Sequence, residues 1–124
     1  MAVDAEAIAN QFVQSYYAVF DSNRSQLAAF YTEQSILSFE GTKFQGPQAI
    51  GEKLKGLPFT VVQHAVSTID AQINPAGLLL VHVVGQLKTD SDPVHGFSES
   101  FLLQQIGDSL FIINDAFRLS LHHQ

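Results

Sequence analysis

The chain has 124 residues, 46% hydrophobic and 15% charged, which suits one packed core and leaves too little for two. Twelve Asp and Glu against six Lys and Arg give a net charge of −6, and the cations are scattered at Arg24, Lys43, Lys53, Lys55, Lys88 and Arg118. Such a surface repels a phosphate backbone and attracts a basic protein, while the absence of cysteine excludes disulfides, thiolate nucleophiles and cysteine zinc sites.

No run approaches the ~20 apolar residues of a bilayer crossing, and the start MAVDAEAIANQ carries early acids where a leader would be basic and then apolar. A soluble, unexported protein of a single domain, residues 1–124, is expected, with neither nucleic acid nor membrane as partner.

From Asp4, a candidate N-cap, Ile8, Phe12, Tyr16, Val19 and Phe20 recur at helical spacing and predict a helix with one buried stripe. Ser22 or Asn23 can cap a shorter second helix through Leu27, Phe30 and Tyr31. Ser35–Phe39 and Thr42–Gln45 read as a hairpin turning at Glu40-Gly41, and Gly46-Pro47 opens a third helix with Ile50, Leu54 and Leu57 on one side, stopped at Gly56 and Pro58.

Beyond Pro58 the period changes to two, and four consecutive strands are predicted: Phe59 to Ile69, Leu78 to about Leu87, Phe97 to about Gln105, and Ser109 to Asn114 with extension toward Leu121. Three helices followed by a meander make an α+β layout, with helices packed on the concave face of a curved antiparallel sheet. The uncovered face, expected to carry Leu79, Val81, Leu103 or Ile113 according to register, would pair with a second copy to form a homodimer.

No nucleotide-binding glycine motif, H-E-x-x-H or G-x-S-x-G is present, and no cofactor or metal is expected. His122 and His123, adjacent near the terminus, read as inert. His64, between Val62 and Val66, reads as a core or cavity histidine satisfied by a nearby carboxylate or carbonyl, and His82 as an outer-face residue at a subunit interface. Glu40 at a hairpin tip, and Asp90 and Asp92 flanking Ser91, stand in loops at strand ends, where cavity mouths form. Asp115 is expected to be buried against Arg118 or a backbone donor, and of Tyr16 and Tyr17 one should pack in the core while the other sits nearer solvent or a cavity entrance.

The blocks FVQSYYAVFD, SFEGTKFQGPQAIGEKLKGLPF, VVQH, VVGQLKTDSDP and NDAFRLSLH together resemble the nuclear transport factor 2 family, in register from about Ile8 to His122. The resemblance implies a cone-shaped homodimer of the cystatin-like α+β fold. It implies a non-catalytic carrier that binds Ran-GDP and phenylalanine-glycine repeat nucleoporins, returns Ran to the nucleus, and resides in cytoplasm and nucleus with concentration at the nuclear pore.

By motif position, Glu40, Asp90 and Asp92 would form an acidic rim for Ran's basic residues, and Phe39, Leu57, Val62, His64 and His95 would line or edge a cavity for one of its aromatic side chains. Phe39 stands where animal members have tryptophan and His95 where they have methionine. The family's first-helix tryptophan, which serves nucleoporin binding, has no counterpart; Ala5 lies at about that position.

Because the same cone fold houses ketosteroid isomerase and scytalone dehydratase, a cavity enzyme is the main alternative, with Glu40 or Asp115 as base, Tyr16 or Tyr17 as electrophilic donor and His64 assisting. A dimerisation or adaptor module of RNA export is the third.

Overall fold

The computed structural model describes residues 4–90 and 92–120. Helix α1 (Ala5–Ser22) starts at Asp4, whose carboxylate accepts from the Ala7 N–H at 3.0 Å, and it buries Ala9, Phe12, Val13, Tyr16, Tyr17 and Phe20. A 3₁₀ helix (Arg24–Phe30) follows, with Leu27 buried. Helix α2 (Gly46–Lys55) opens with Pro47 in its first turn and buries Ile50 and Leu54.

The strands are β1 (Tyr31–Phe39), β2 (Thr42–Gln45), β3 (Val62–Ile73), β4 (Leu79–Thr89), β5 (His95–Ile106) and β6 (Ser109–Ser120), and together they form one sheet of order β2-β1-β6-β5-β4-β3. The expected order of elements is present, with two differences. β1 begins at Tyr31, four residues before the expected Ser35, because Ser35 bonds Thr32 locally and donates its hydroxyl to the Ile112 carbonyl, which ties the polar stretch to β6. The β1–β6 pair is parallel, Phe39 lying opposite Phe117, so the otherwise antiparallel sheet is mixed at that seam.

Register shifts in β1–β6, β3–β4 and β5–β6 add residues on one side of the ladder and bend the sheet into a curved layer. Gly85 serves the β3 bend: a Cβ there would come within 2.3 Å of the Ala65 carbonyl oxygen and 3.0 Å of the Phe97 ring, so only glycine admits this approach of β3 to β4.

The core lies between the helices and the inward face of the sheet. Leu79, Val81, Val83, Leu87, Phe97, Phe101, Leu103 and Ile112 all point into it. The expectation that Leu79, Val81 and Leu103 occupy the uncovered face is therefore corrected: strand parity sends them under the helices. Leu80 and Val84, about two-fifths exposed, face outward instead, together with His82, whose Nδ1 lies 2.8 Å from the Ser100 hydroxyl. Ile113 is the extra residue of the β5–β6 bulge and is half-buried.

Candidate functional site

At one end of the curved sheet the tips of β1, β4, β5 and β6 enclose a cavity of about 310 Å³ with the end of α1 and the segment after α2. Its wall is aromatic and aliphatic: Phe20, Phe39, Leu57, Pro58, Phe59, Leu87, Phe117 and Leu119. Its polar members are His64, Thr89, Asp92 and His95. Phe39 stacks on Phe117 with centroids 4.8 Å apart, and Phe117 on Phe97 at 5.9 Å, so one side of the cavity is a column of rings. The Lys53 ammonium lies 5.1 Å from the Phe39 centroid and covers that wall from outside.

His64 is fixed from three sides. Its backbone N–H donates to Asp21 Oδ2 at 3.0 Å and its Nδ1 lies 2.6 Å from Asp21 Oδ1, the geometry of an Nδ1–H donated to the carboxylate. Its ring stacks on Tyr17 at 4.2 Å and meets the edges of Phe20 and Phe97. The expected carboxylate partner exists; it is Asp21, at the end of α1.

The lip from Leu57 to Val61 is pinned twice. The Arg24 guanidinium donates to the Phe59 carbonyl at 2.8 Å and lies 4.6 Å above the Phe59 ring, while Asp90 Oδ1 accepts from the Thr60 and Val61 N–H groups at 3.1 and 2.8 Å. These attachments delay the start of β3 to Val62, past the expected Phe59.

Asp90 and Glu40 both adopt positive φ, +45° and +51°, in the turns that carry them. Glu40 Oε1 accepts from the Leu119 N–H at 2.5 Å, which anchors the β1–β2 tip beside two wall residues, Phe39 and Leu119. Lys88 Nζ donates to the Asp92 carbonyl at 2.5 Å, and the Asp92 N–H to the Thr89 carbonyl at 2.9 Å, which closes the turn after β4.

Of the residues expected at this site, Phe39, Leu57, His64, His95 and Asp92 share the cavity, while Glu40 and Asp90 sit next to it on bonds to its lip and β6. Val62 does not belong to the wall: it is 2% exposed and packs in the core, because β3 turns it inward. Phe20, Phe59, Phe117 and Leu119 are wall residues that sequence reading left unassigned; the FRL block and the phenylalanine after Pro58 were the available signals.

Behind Phe97 and Phe117 lies a separate polar cluster. The Tyr16 and Tyr31 hydroxyls are 2.8 Å apart, Tyr31 donates to Asp115 Oδ2 at 2.8 Å, and Tyr17 donates to Glu99 Oε1 at 2.9 Å. Both tyrosines of α1 are thus buried, Tyr16 in the core and Tyr17 away from solvent but stacked on the cavity residue His64, and Asp115 pairs with Tyr31, not with the exposed Arg118. Burial pushes the Asp115 carboxyl up to about 6; burial first, then the charge of Asp115, raises Glu99 well above the usual carboxylate range. Burial and the nearby carboxylates likewise raise the three tyrosines. None of these five groups reaches the cavity wall.

Among the described residues no group of three or more His, Cys, Asp or Glu could hold a metal ion, and no helix is long and apolar enough to cross a membrane. His122 and His123 lie outside the described residues.

A curved α+β sheet wrapped on helices, with a ring-walled cavity opening beside carboxylates, defines a cone-fold domain. The model of the nuclear transport factor 2 domain matches residues 8–119. A nuclear transport factor 2 of Schizosaccharomyces pombe is 46% identical over 119 residues, 94% of this chain and 97% of the relative. The solved nuclear transport factor 2 of Cryptosporidium parvum superposes with a TM-score of 0.89 at 38% identity, covering 94% of each chain. The yeast Ubp3-associated protein Bre5 superposes at 0.82 over 98% of this chain and all of that one, but at 23% identity it shares the fold alone. The chain belongs to the nuclear transport factor 2 family, and that membership places it among nuclear transport carriers.

Proposed function

We propose that this protein carries Ran into the nucleus by binding its GDP form, with an aromatic side chain of Ran seated in the cavity and Ran's basic residues on Glu40, Asp90 and Asp92. The observation that carries this reading is the ring-walled cavity of about 310 Å³ with carboxylates held at its mouth. Enclosing a guest aromatic supplies about 1.5–3 kcal/mol, and the carboxylates orient a cationic partner and speed its approach. Glu40 and Asp90 are bonded to backbone N–H groups, so their charges are presented without a large entropic cost of ordering.

Two copies associate through the outer sheet face, where Ile36, Leu80 and Val84 are exposed and the first two border a shallow concavity. Phenylalanine-glycine repeats of nucleoporins dock weakly and gain avidity from multivalency; with Ala5 in place of tryptophan, their groove on this chain has no assigned residues. Nucleocytoplasmic shuttling through the pore follows from the two interactions.

Catalysis is disfavoured by the same geometry. Asp115, the one deeply buried carboxylate proposed as a base, stands behind Phe97 and Phe117 and outside the cavity, and Glu40 Oε1 is committed to a backbone donor.

Removing rim charge without removing the anchoring acceptor isolates the electrostatic contribution. Glu40→Gln and Asp92→Asn should each weaken Ran-GDP binding several-fold and flatten its salt dependence, with unchanged thermal stability, measured by calorimetric titration at low and high salt. Wild-type affinity and salt slope in both variants would refute the rim.

A further inference from the structure

The cluster behind the cavity poses a hydrogen-counting problem. Three hydroxyl hydrogens are available, from Tyr16, Tyr17 and Tyr31. Tyr31 spends its hydrogen on Asp115 Oδ2, so the hydrogen between the two hydroxyls of Tyr16 and Tyr31 comes from Tyr16, and Tyr17 spends its own on Glu99 Oε1. Asp115 Oδ1 is buried and receives none of them. The Glu99 carboxyl stands beside it, diagonally across β5–β6: Glu99 lies opposite Phe117, two residues on from Asp115, and the two carboxyls perturb one another's titration.

Among the described residues no cation enters to balance two negative charges. Around the pair, α1 contributes Tyr16 and Tyr17, β1 contributes Tyr31, and β4 presents apolar side chains. The nearest ring of β3, His64, is stacked on Tyr17 and bonded to Asp21. Arg24 is bonded to Phe59, Lys53 and Lys88 are only half-buried, and Lys43, Lys55 and Arg118 are exposed. Glu99 is 4% and Asp115 3% exposed, so two ionised carboxylates here would be both desolvated and adjacent.

We propose that Glu99 is a structural proton carrier: at neutral pH it stays a neutral carboxylic acid that donates to Asp115 Oδ1, so that the pair holds one negative charge and every polar atom of the cluster its partner. The raised titration of both carboxyls agrees with this, Asp115 pushed up to about 6 and Glu99 raised well above the usual carboxylate range by burial and by the charge of Asp115. The consequence is a pH response built into the core. The folded state binds more protons than the unfolded chain, so stability is greatest near the ordinary carboxylate range and falls as the pH rises through neutrality.

Glu99→Gln tests the assignment, because the amide keeps an oxygen for Tyr17 and supplies an N–H to Asp115 Oδ1 without a titratable proton. The wild-type melting temperature should fall between about pH 5.5 and pH 8.5, and the variant should lose most of that slope and melt above the wild type at the alkaline end. In carbon-13 carboxyl NMR of the wild-type protein, the Glu99 signal should remain at the protonated position at pH 7. A Glu99 signal that titrates in the ordinary range, or an equal pH slope in Glu99→Gln, would overturn the proposal. Should the variant fail to fold, the NMR titration decides alone.

Discussion

Asp21 holds His64 by both its backbone N–H and its ring, and through His64 it locks the plane on which Tyr17 rests. Its carboxylate is a quarter exposed, so each bond is worth less than a fully buried one. Asp21→Ala should lower unfolding free energy by about 1–3 kcal/mol in chemical denaturation; an unshifted midpoint would show that neither bond contributes.

At this scale the sequence was legible where a residue's neighbours were local. His64 could be read as a satisfied histidine, but its partner comes from a different element 43 residues away, and no spacing rule joins them. Glu99 went unread although a signal existed: in F-S-E-S-F it shares parity with Phe97 and Phe101 and must point inward with them. Asp115 could be read as buried, while its pairing with Tyr31 depends on the β1–β6 seam, which pattern alone does not reveal.

Among the elements, the helices and hairpin were legible because apolar period, proline and glycine agree on them. The two faces of the meander were not, because β3 to β6 carry apolar residues on both and the bulges alter register along a strand. With the faces settled, the exposed apolar positions of β4 are Leu80 and Val84, and the dimer proposed across that face depends on them. Leu80→Glu should convert the dimer to a folded monomer in sedimentation velocity, since a desolvated carboxylate facing its own copy has no partner. A variant that sediments like the wild-type dimer would place the interface elsewhere.

Over the whole molecule, one end gathers a cavity of rings with Asp92 in its lining and the turn carboxylates Glu40 and Asp90 beside it. The strand-end loops of Glu40, Asp90 and Asp92 hinted at a cavity mouth, but the wall came only from the resemblance and in part, since it gathers residues from positions 20 to 119 that no local pattern connects. The rest of the fold serves this end: Arg24 and Asp90 pin the lip, Glu40 ties the hairpin to β6, and Gly85 permits the bend.

The central claim is that this end recognises the GDP form of Ran, and it is tested most directly by titrating the purified protein with Ran loaded with GDP and, in parallel, with a non-hydrolysable GTP analogue. Saturable binding of one Ran-GDP per protomer, with no binding of the analogue-loaded form at the same concentrations, is the predicted result. Absence of binding to Ran-GDP, or equal affinity for both nucleotide forms, would contradict it.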